Sequence, residues 1–577
     1  MTLPVAGRLP PSLDEIRRRL TAPGAPFEME TVVIRGVETR VWKHAPLSLR
    51  EVLAAARGYG GRDMLVYAGE RASYDAFHRA VAALAADFAE RGLRKGDRVA
   101  LVMRNLPEWP VAYFACVALG GIVTPLNAWG AADEIAYGLD DCGARFAVVD
   151  AERYDLLAPG LDARAALEHV YVARPQAALE PGEARPLAAV IGARAEDWAR
   201  LPDADLPEAE LAPEDLACIY YTSGTTGRPK GAYATHRAVL TNPPAIAYAA
   251  ARTILRGGGE LPPPGPAPAR TALVGLPLFH VTGCNVILVT NILAGAKLVI
   301  MRKWDVERAF QLIEAERVTN AGGVPALAWQ LLEDPRRGDY DLSSLERVNW
   351  GGAPASPELE GGLRAAFPGV AVSTGWGMTE LSGVHTDIAG ADLMARPTSC
   401  GAPVGDYGLK ACDAEGRELP AGEIGELWAS GPNVAVGYWN RPEATAETFV
   451  DGWVRTGDVG YLDAEGFCFI VDRKKDMLIR GGENIYCIEV EAALYQHPAV
   501  LDAAVFGVAH RTLGEEPAAA VTLRPGHAVY EASLRAFVRE RIAGFKVPVR
   551  IALTADPLPR NASGKILKPA CRAMLEV

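Results

Sequence analysis

The run Tyr221-Thr222-Ser223-Gly224-Thr225-Thr226-Gly227-Arg228-Pro229-Lys230-Gly231 gathers several groups that can hold an anion. Its glycines let the backbone turn N–H groups toward one point, hydroxyls stand beside them, and Lys230 adds a cation. Together they form a cradle for phosphate, with Thr222, Ser223, Gly224, Thr225, Thr226, Gly227 and Lys230 as its candidate contacts. The spacing is not that of the G-x4-G-K-[ST] nucleotide loop. An ordinary surface loop accounts for Gly, Ser and Thr, but not for Pro-Lys-Gly closing so regular a run.

Further residues of suitable type follow. Gly375-Trp376-Gly377-Met378-Thr379-Glu380 ends on a hydroxyl and a carboxylate. A carboxylate suits Mg²⁺, a hard cation that keeps its other positions for water and phosphate oxygens. Asp458, in Trp453-Val454-Arg455-Thr456-Gly457-Asp458, is a carboxylate able to accept from two hydroxyls. Gly351-Gly352-Ala353-Pro354 reads as a tight turn, and Asp472-Arg473-Lys474-Lys475-Asp476 as a solvated charged loop. Pro559-Arg560-Asn561-Ala562-Ser563-Gly564-Lys565 puts one lysine on a run of small residues, an arm able to carry charge to an oxyanion. In isolation such a lysine means little.

The elements that must position these residues alternate. Phe77, Val81, Leu84 and Phe88 recur at helical spacing, with Ser73 placed to cap the start and Gly92 the end. Apolar strands are expected over 99–102, 122–124, 146–149, 218–222, 271–276, 297–300 and 370–373, with helices between them, one of them starting near Ala234 after the cradle. Strands alternating with helices predict parallel sheets covered on both faces, an α/β fold. Residues 175–205 and 257–268 read as surface insertions. Near residue 471 the pattern shifts to short elements, which sets a domain 1–471 apart from a smaller α+β unit over 472–577.

The whole chain has 577 residues and a net charge of −12, which argues against a nucleic-acid partner. Nine cysteines are scattered without a CxxC pair, so neither a disulfide framework nor a zinc site is expected, and a reducing cytoplasm is. The N-terminal residues lack the apolar stretch of a signal peptide. The uncharged stretch 271–296 is interrupted by Pro277, His280, Asn285 and Asn291, and so reads as a buried strand and helix rather than a membrane span.

The cradle YYTSGTTGRPKG resembles the signature loop of the adenylate-forming superfamily, which includes acyl-CoA synthetases, luciferases and peptide-synthetase adenylation domains. The other motifs follow in the family's order along nearly the whole chain. The resemblance implies a large N-terminal domain with a smaller β subdomain, and a mobile C-terminal domain pivoting near Lys475. It implies ATP, Mg²⁺ and coenzyme A, and a small-molecule carboxylic acid as substrate. By the same resemblance Gly351, Gly352, Ala353 and Pro354 contact adenine, on which Trp376 stacks where the family usually has Tyr. Thr379 meets the α-phosphate, Glu380 and Thr222 hold Mg²⁺, Asp458 and Arg473 take the ribose, and Gly481, Gly482 and Glu483 lie against pantetheine. Lys565 is the catalytic lysine. Asp472 stands where Gly is commoner.

Pro277-Leu278-Phe279-His280-Val281-Thr282-Gly283 resembles the pocket-lining motif, with His280 where amino-acid adenylation domains place Asp. With Val324 and the neighbouring aromatics, this points to an uncharged acyl or aryl group, in a medium- or long-chain, branched or aryl-aliphatic acid. Two alternatives stay open: an enzyme that loads a separate carrier protein, and a nucleotide-binding homologue without catalysis. A homodimer is left open too.

Overall fold

The computed structural model describes residues 11–575 apart from 162, 180–183, 223–227, 264, 266–267, 353–356, 482 and 561–564. Two large sheets carry the N-terminal part. In one, the strands run Gly437–Tyr438, Gly231–Thr235, Leu216–Tyr221, Ile122–Pro125, Arg98–Val102, Phe146–Asp150, His169–Ala173 and Arg185–Pro186. In the other they run Ala402–Pro403, Gly383–Ala389, Ala371–Met378, Arg347–Gly351, Asn320–Gly323, Thr271–Val274, Lys297–Ile300, Asp63–Tyr67 and Glu70–Ser73. The central pairings of both are parallel, as alternating strands and helices require.

Helices Tyr74–Glu90 and Glu108–Ala118 fill the space between the sheets. Ser73 caps the first, its side chain accepting from Ala76 N. The second is buried at every position and apolar all round but for Glu108, whose carboxylate meets Arg174 at 2.7 Å. One continuous core therefore joins side chains of both sheets, among them Leu65, Val99, Leu101, Val274 and Leu298.

A third, antiparallel sheet holds Gly408–Cys412, Gly425–Ser430, Trp453–Leu462, Phe449–Val450 and Cys468–Arg473. The C-terminal domain has its own sheet, of Glu483–Ile485, Leu478–Arg480, Gly514–Leu523, Val500–His510 and Ile551–Thr554, and its own core around Val490, Val505, Val521 and Leu534.

The structure corrects three expectations. The cradle is followed by the strand Gly231–Thr235, paired antiparallel with Leu216–Tyr221, and the helix begins only at His236. Alternating small and β-forming residues over 231–235 extend the hairpin before Thr235 can cap. Residues 175–205 are not merely a surface insertion, for they add the edge strand Arg185–Pro186 and bury Trp198 completely. The strand expected over 370–373 runs on to Met378, so Gly375 and Gly377 lie within it. A Cβ on Gly377 would stand 1.8 Å from the Gly383 carbonyl oxygen, which is why that position is bare. No helix among the described residues is long and apolar enough to cross a membrane.

Candidate active site

A cleft of 3520 Å³ opens between the second large sheet, the antiparallel sheet and the C-terminal domain. Thr222, Lys230, His280, Val324, Gly351, Gly352, Thr379, Glu380, Asp458, Arg473, Lys475 and Lys565 all line it, as do Gly375, Trp376, Gly377 and Met378. The structure thus brings together residues that the sequence separates by hundreds of positions.

Thr222 and Lys230, the described ends of the cradle, stand where the antiparallel pair Leu216–Tyr221 and Gly231–Thr235 ends. Thr222 N donates to the Lys230 carbonyl at 2.9 Å, extending the ladder by one bond. Ser223, Gly224, Thr225, Thr226 and Gly227 lie outside the described residues, as do Ala353, Pro354 and Gly482. Lys230 Nζ stands 5.0 Å from the centre of the Tyr438 ring. The hydroxyl of Tyr438 donates to Glu380 Oε1 at 2.6 Å. Glu380 is only 7% exposed, and the short turn Thr379–Leu381 after the long strand holds it there. Tyr438, placed on an edge strand, had no signal in the sequence, since its partner lies 58 residues away.

Asp458 sits in the strand Trp453–Leu462 directly opposite Arg473. Arg473 Nε stands 3.0 Å from Oδ1, and the Trp376 indole donates to Oδ2 at 2.8 Å. Four lone-pair sites on a carboxylate leave room for two further donors. Asp472, beside Arg473, is buried; its oxygens accept from the N–H groups of Arg473 and Cys487, and burial pushes its carboxyl up to about 6.

Lys565 reaches the cleft from the far end of the chain. Burial brings its ammonium down to about 8, helped by Arg473 and Lys475 and opposed by Asp458 and Glu380. His280 faces the same space. Burial, with Lys565 beside it, holds its ring down to about 4, so it is neutral at physiological pH, and its Nδ1 accepts from Thr282 N at 3.3 Å. Val324 caps the helix Pro325–Glu333 at the cleft wall.

Gly481 and Glu483 are arranged differently. They form an exposed hairpin turn between Leu478–Arg480 and Glu483–Ile485, with Gly481 at φ +59°, its N–H donating to the Leu513 carbonyl, and they stand outside the cleft. Lys475 lies on the connection between Cys468–Arg473 and this hairpin, and burial lowers its ammonium.

The uncharged acyl surround expected from His280 and Val324 is incomplete. Arg270, Arg347 and Asn349 line the same cleft, on the face of the sheet that carries Gly351. Reading Arg347, Asn349 and Gly351 as alternate residues of one strand would have shown them on one face. All nine cysteines are free, and eight of them are buried. Among the described residues no three His, Cys, Asp or Glu side chains cluster to hold a metal by themselves.

Comparison with known proteins gives a consistent result. Residues 52–439 match the family model described as AMP-binding enzyme, and residues 489–565 the AMP-binding enzyme C-terminal domain. A feruloyl-CoA synthase of Amycolatopsis sp. is 35% identical over 88% of this chain and 94% of its own. A fatty acid–[acyl-carrier-protein] ligase, ScoC of Streptomyces coeruleorubidus, is 33% identical over 87% and 92%. The crystal structure of the anthranilate CoA ligase AuaEII with anthranoyl-AMP superposes with a TM-score of 0.79 at 26% identity, covering 92% of this chain and 97% of that one. A cleft lined by a carboxylate, a lysine and the ends of the cradle at Thr222 and Lys230, in a chain matched by both family models, leads to one conclusion: this chain belongs to the AMP-binding enzyme family and is an AMP-forming acid–thiol ligase.

Proposed function

We propose that the cleft activates a carboxylic acid in two steps. The acid's oxygen attacks the α-phosphorus of ATP, releasing pyrophosphate and leaving an acyl-adenylate; the thiol of coenzyme A then attacks the acyl carbon, releasing AMP. The observation that carries this reading is the position of Lys565, which lines the same cleft as Glu380, Asp458 and His280. Two anions that repel must come together there, and a desolvated cation between them offsets their charge.

In this reading Asp458 and Arg473 hold the ribose, Gly351, Gly352 and Trp376 take the adenine, Thr379 meets the α-phosphate, and the Thr222–Lys230 hairpin holds the pyrophosphate end. Ala353, Pro354 and residues 223–227 belong to the same assignment. Glu380 and Thr222 suit Mg²⁺: one carboxylate oxygen is engaged by Tyr438, the other is left for the ion, and Mg²⁺ takes its remaining ligands from water and phosphate. When bound, the ion supplies charge neutralisation at the phosphates.

The second step needs a thiol where Lys565 stands. We assign residues 1–471 and 472–577 to two bodies that pivot at Lys475, withdrawing the lysine and bringing the hairpin of Gly481, Gly482 and Glu483 toward the site. The presence of Lys565 in the cleft and of that hairpin outside it supports the arrangement suited to the first step. The acid carries an extended aliphatic or aryl-aliphatic body beside neutral His280 and Val324. Unpaired thiols support a reducing, cytoplasmic setting.

Similarity to the carrier-protein ligase favours a second acceptor, a carrier protein in place of coenzyme A. A pyrophosphate-release screen across carboxylic acids, with and without coenzyme A, tests both readings. AMP and pyrophosphate as products, with acyl-CoA formed only when the thiol is present, are expected. ADP and phosphate would overturn the adenylate route. Acyl transfer to a carrier but not to coenzyme A would favour the second acceptor.

A further inference from the structure

The face of the second sheet that looks into the cleft changes character along its length. Arg347 is level with Asn320 and Ala371, Asn349 with Gly322 and Ser373, and Gly351 with Gly375. Ala272 is level with Asn320, and Arg270 lies just beyond it on the same side. Toward the reaction end this face carries no side chain at Gly322, Gly351 and Gly375, where neighbouring backbone closes in on Gly322 and Gly375, and Ile246, Ala250 and Thr253 of the helix Asn242–Arg256 line the cleft as well. At the far end the side chains return, and two of them are arginines. From Ala371 to Gly377 the strand rises about 20 Å at ~3.3 Å per residue, the reach of a long acyl chain.

Arg347 is half-buried, and its guanidinium makes no hydrogen bond or ion pair among the described residues. Asp387 and Glu346 act on it only through space, as does the like charge of Arg270. Asp387 is itself engaged by Arg252 at 3.7 Å. A guanidinium on the cleft wall with no protein partner among the described residues offers its donors to an incoming anion. Arg270 is exposed, so the channel reopens to water there and a charged chain end need not be fully desolvated.

We propose that Arg347, assisted by Arg270, forms a distal subsite for a second carboxylate, so that the substrate class is a long α,ω-dicarboxylic acid. This rests on the cleft being that of an acid-activating ligase. The reacting carboxylate lies by Lys565, the chain runs over the glycines, and the far carboxylate meets the guanidinium. A methyl terminus would strip water from Arg347 without replacing it, which disfavours the plain fatty acid.

The test compares hexadecanedioic acid, its ω-hydroxy analogue and hexadecanoic acid by kcat/KM for pyrophosphate release, on wild type, Arg347→Met, Arg347→Lys and Arg270→Met, each shown to be folded by its melting curve. The wild type is expected to prefer the diacid over the monoacid by about tenfold or more, the scale of one hydrogen-bonded charge pair. Arg347→Met should lower that ratio at least tenfold, Arg347→Lys should recover most of it, and Arg270→Met should have the smaller effect. Preference for the monoacid, equal use of the ω-hydroxy acid and the diacid, or an unmoved ratio in Arg347→Met would overturn the subsite. Turnover of other acids but none of these three would overturn it while leaving the ligase reading intact. Absence of pyrophosphate release with every acid would count against the ligase reading. Calorimetric binding of hexadecanedioate to wild type and Arg347→Met then decides the subsite independently.

Discussion

The indole N–H of Trp376 donates to Asp458 Oδ2 at 2.8 Å, across 82 residues of sequence. With Arg473 on Oδ1, both oxygens of a carboxylate only 2% exposed are fixed before any ligand arrives. A phenol at this position would present its polar group at a different reach, so the indole gives this chain a contact that ring stacking alone would not require.

Trp376→Phe keeps an aromatic face and removes the donor. A hydrogen bond to a charged group contributes about 1.5–3 kcal/mol, so the KM for ATP should rise by roughly ten- to a hundredfold. ATP–pyrophosphate exchange measures it. A phenylalanine variant with unchanged KM would show that the bond does not organise Asp458 for the nucleotide.

Lys565→Ala should lower the adenylation rate at least ~10²-fold, the scale of one lost electrostatic contact to a transition state. Started from a supplied acyl-adenylate and coenzyme A, thioester formation should be nearly normal. Intact adenylation in the folded variant would sink the role proposed for the lysine, and equal loss of both steps would mark it as structural.

The pH dependence follows from burial of the same lysine. Its folded value, about 8, lies below the ordinary 10.5, so the cation is lost as pH rises through about 8. The kcat/KM for adenylation should show a basic limb there, and the limb in kcat should move upward once bound phosphates favour the charged form. Stability runs the other way: between about 8 and 10.5 the unfolded chain binds the extra proton, so this group's contribution to stability rises with pH. Lys565→Met should abolish the rate limb. A limb surviving in that variant would belong to another group.

Lys475→Pro fixes φ on the connection between the strand ending at Arg473 and the hairpin beginning at Leu478. Adenylation should survive better than thioester formation, because the Gly481 hairpin could no longer turn in. Separate single-turnover assays of the two half-reactions check this, and equal losses would argue against a pivot at Lys475.

Glu380→Gln keeps the shape and an acceptor for the Tyr438 hydroxyl but removes the charge. Pyrophosphate release should then need a higher Mg²⁺ concentration, with saturation shifted by at least tenfold, about 1.4 kcal/mol. Chelation with EDTA should abolish turnover in both proteins. A Mg²⁺ titration identical to wild type would remove Glu380 from the metal assignment.

Much of this protein was written locally. The alternation over 77–149 yields strands and helices within a few residues of those observed, because apolar periodicity acts over one or two turns. Lys565, Glu380, Asp458 and Thr222 were legible because their neighbours form ordered motifs. Local pattern failed where tertiary pairing chose the state: residues 231–235 became a strand because Gly437–Tyr438 and Leu216–Tyr221 flank them on both sides, and 175–205 gained structure from an open sheet edge and a core pocket for Trp198.

The sequence by itself determined the residue types, the order of the motifs and therefore the class of chemistry. Only the tertiary structure decided which groups meet: Tyr438 with Glu380, Trp376 with Asp458, Lys565 with His280, and Arg347 with Arg270 on the lining of the same cleft. The reason is physical. A motif fixes backbone shape over a few residues, whereas the partner of a buried charge is set by sheet order and register, which bring distant strands within hydrogen-bonding reach.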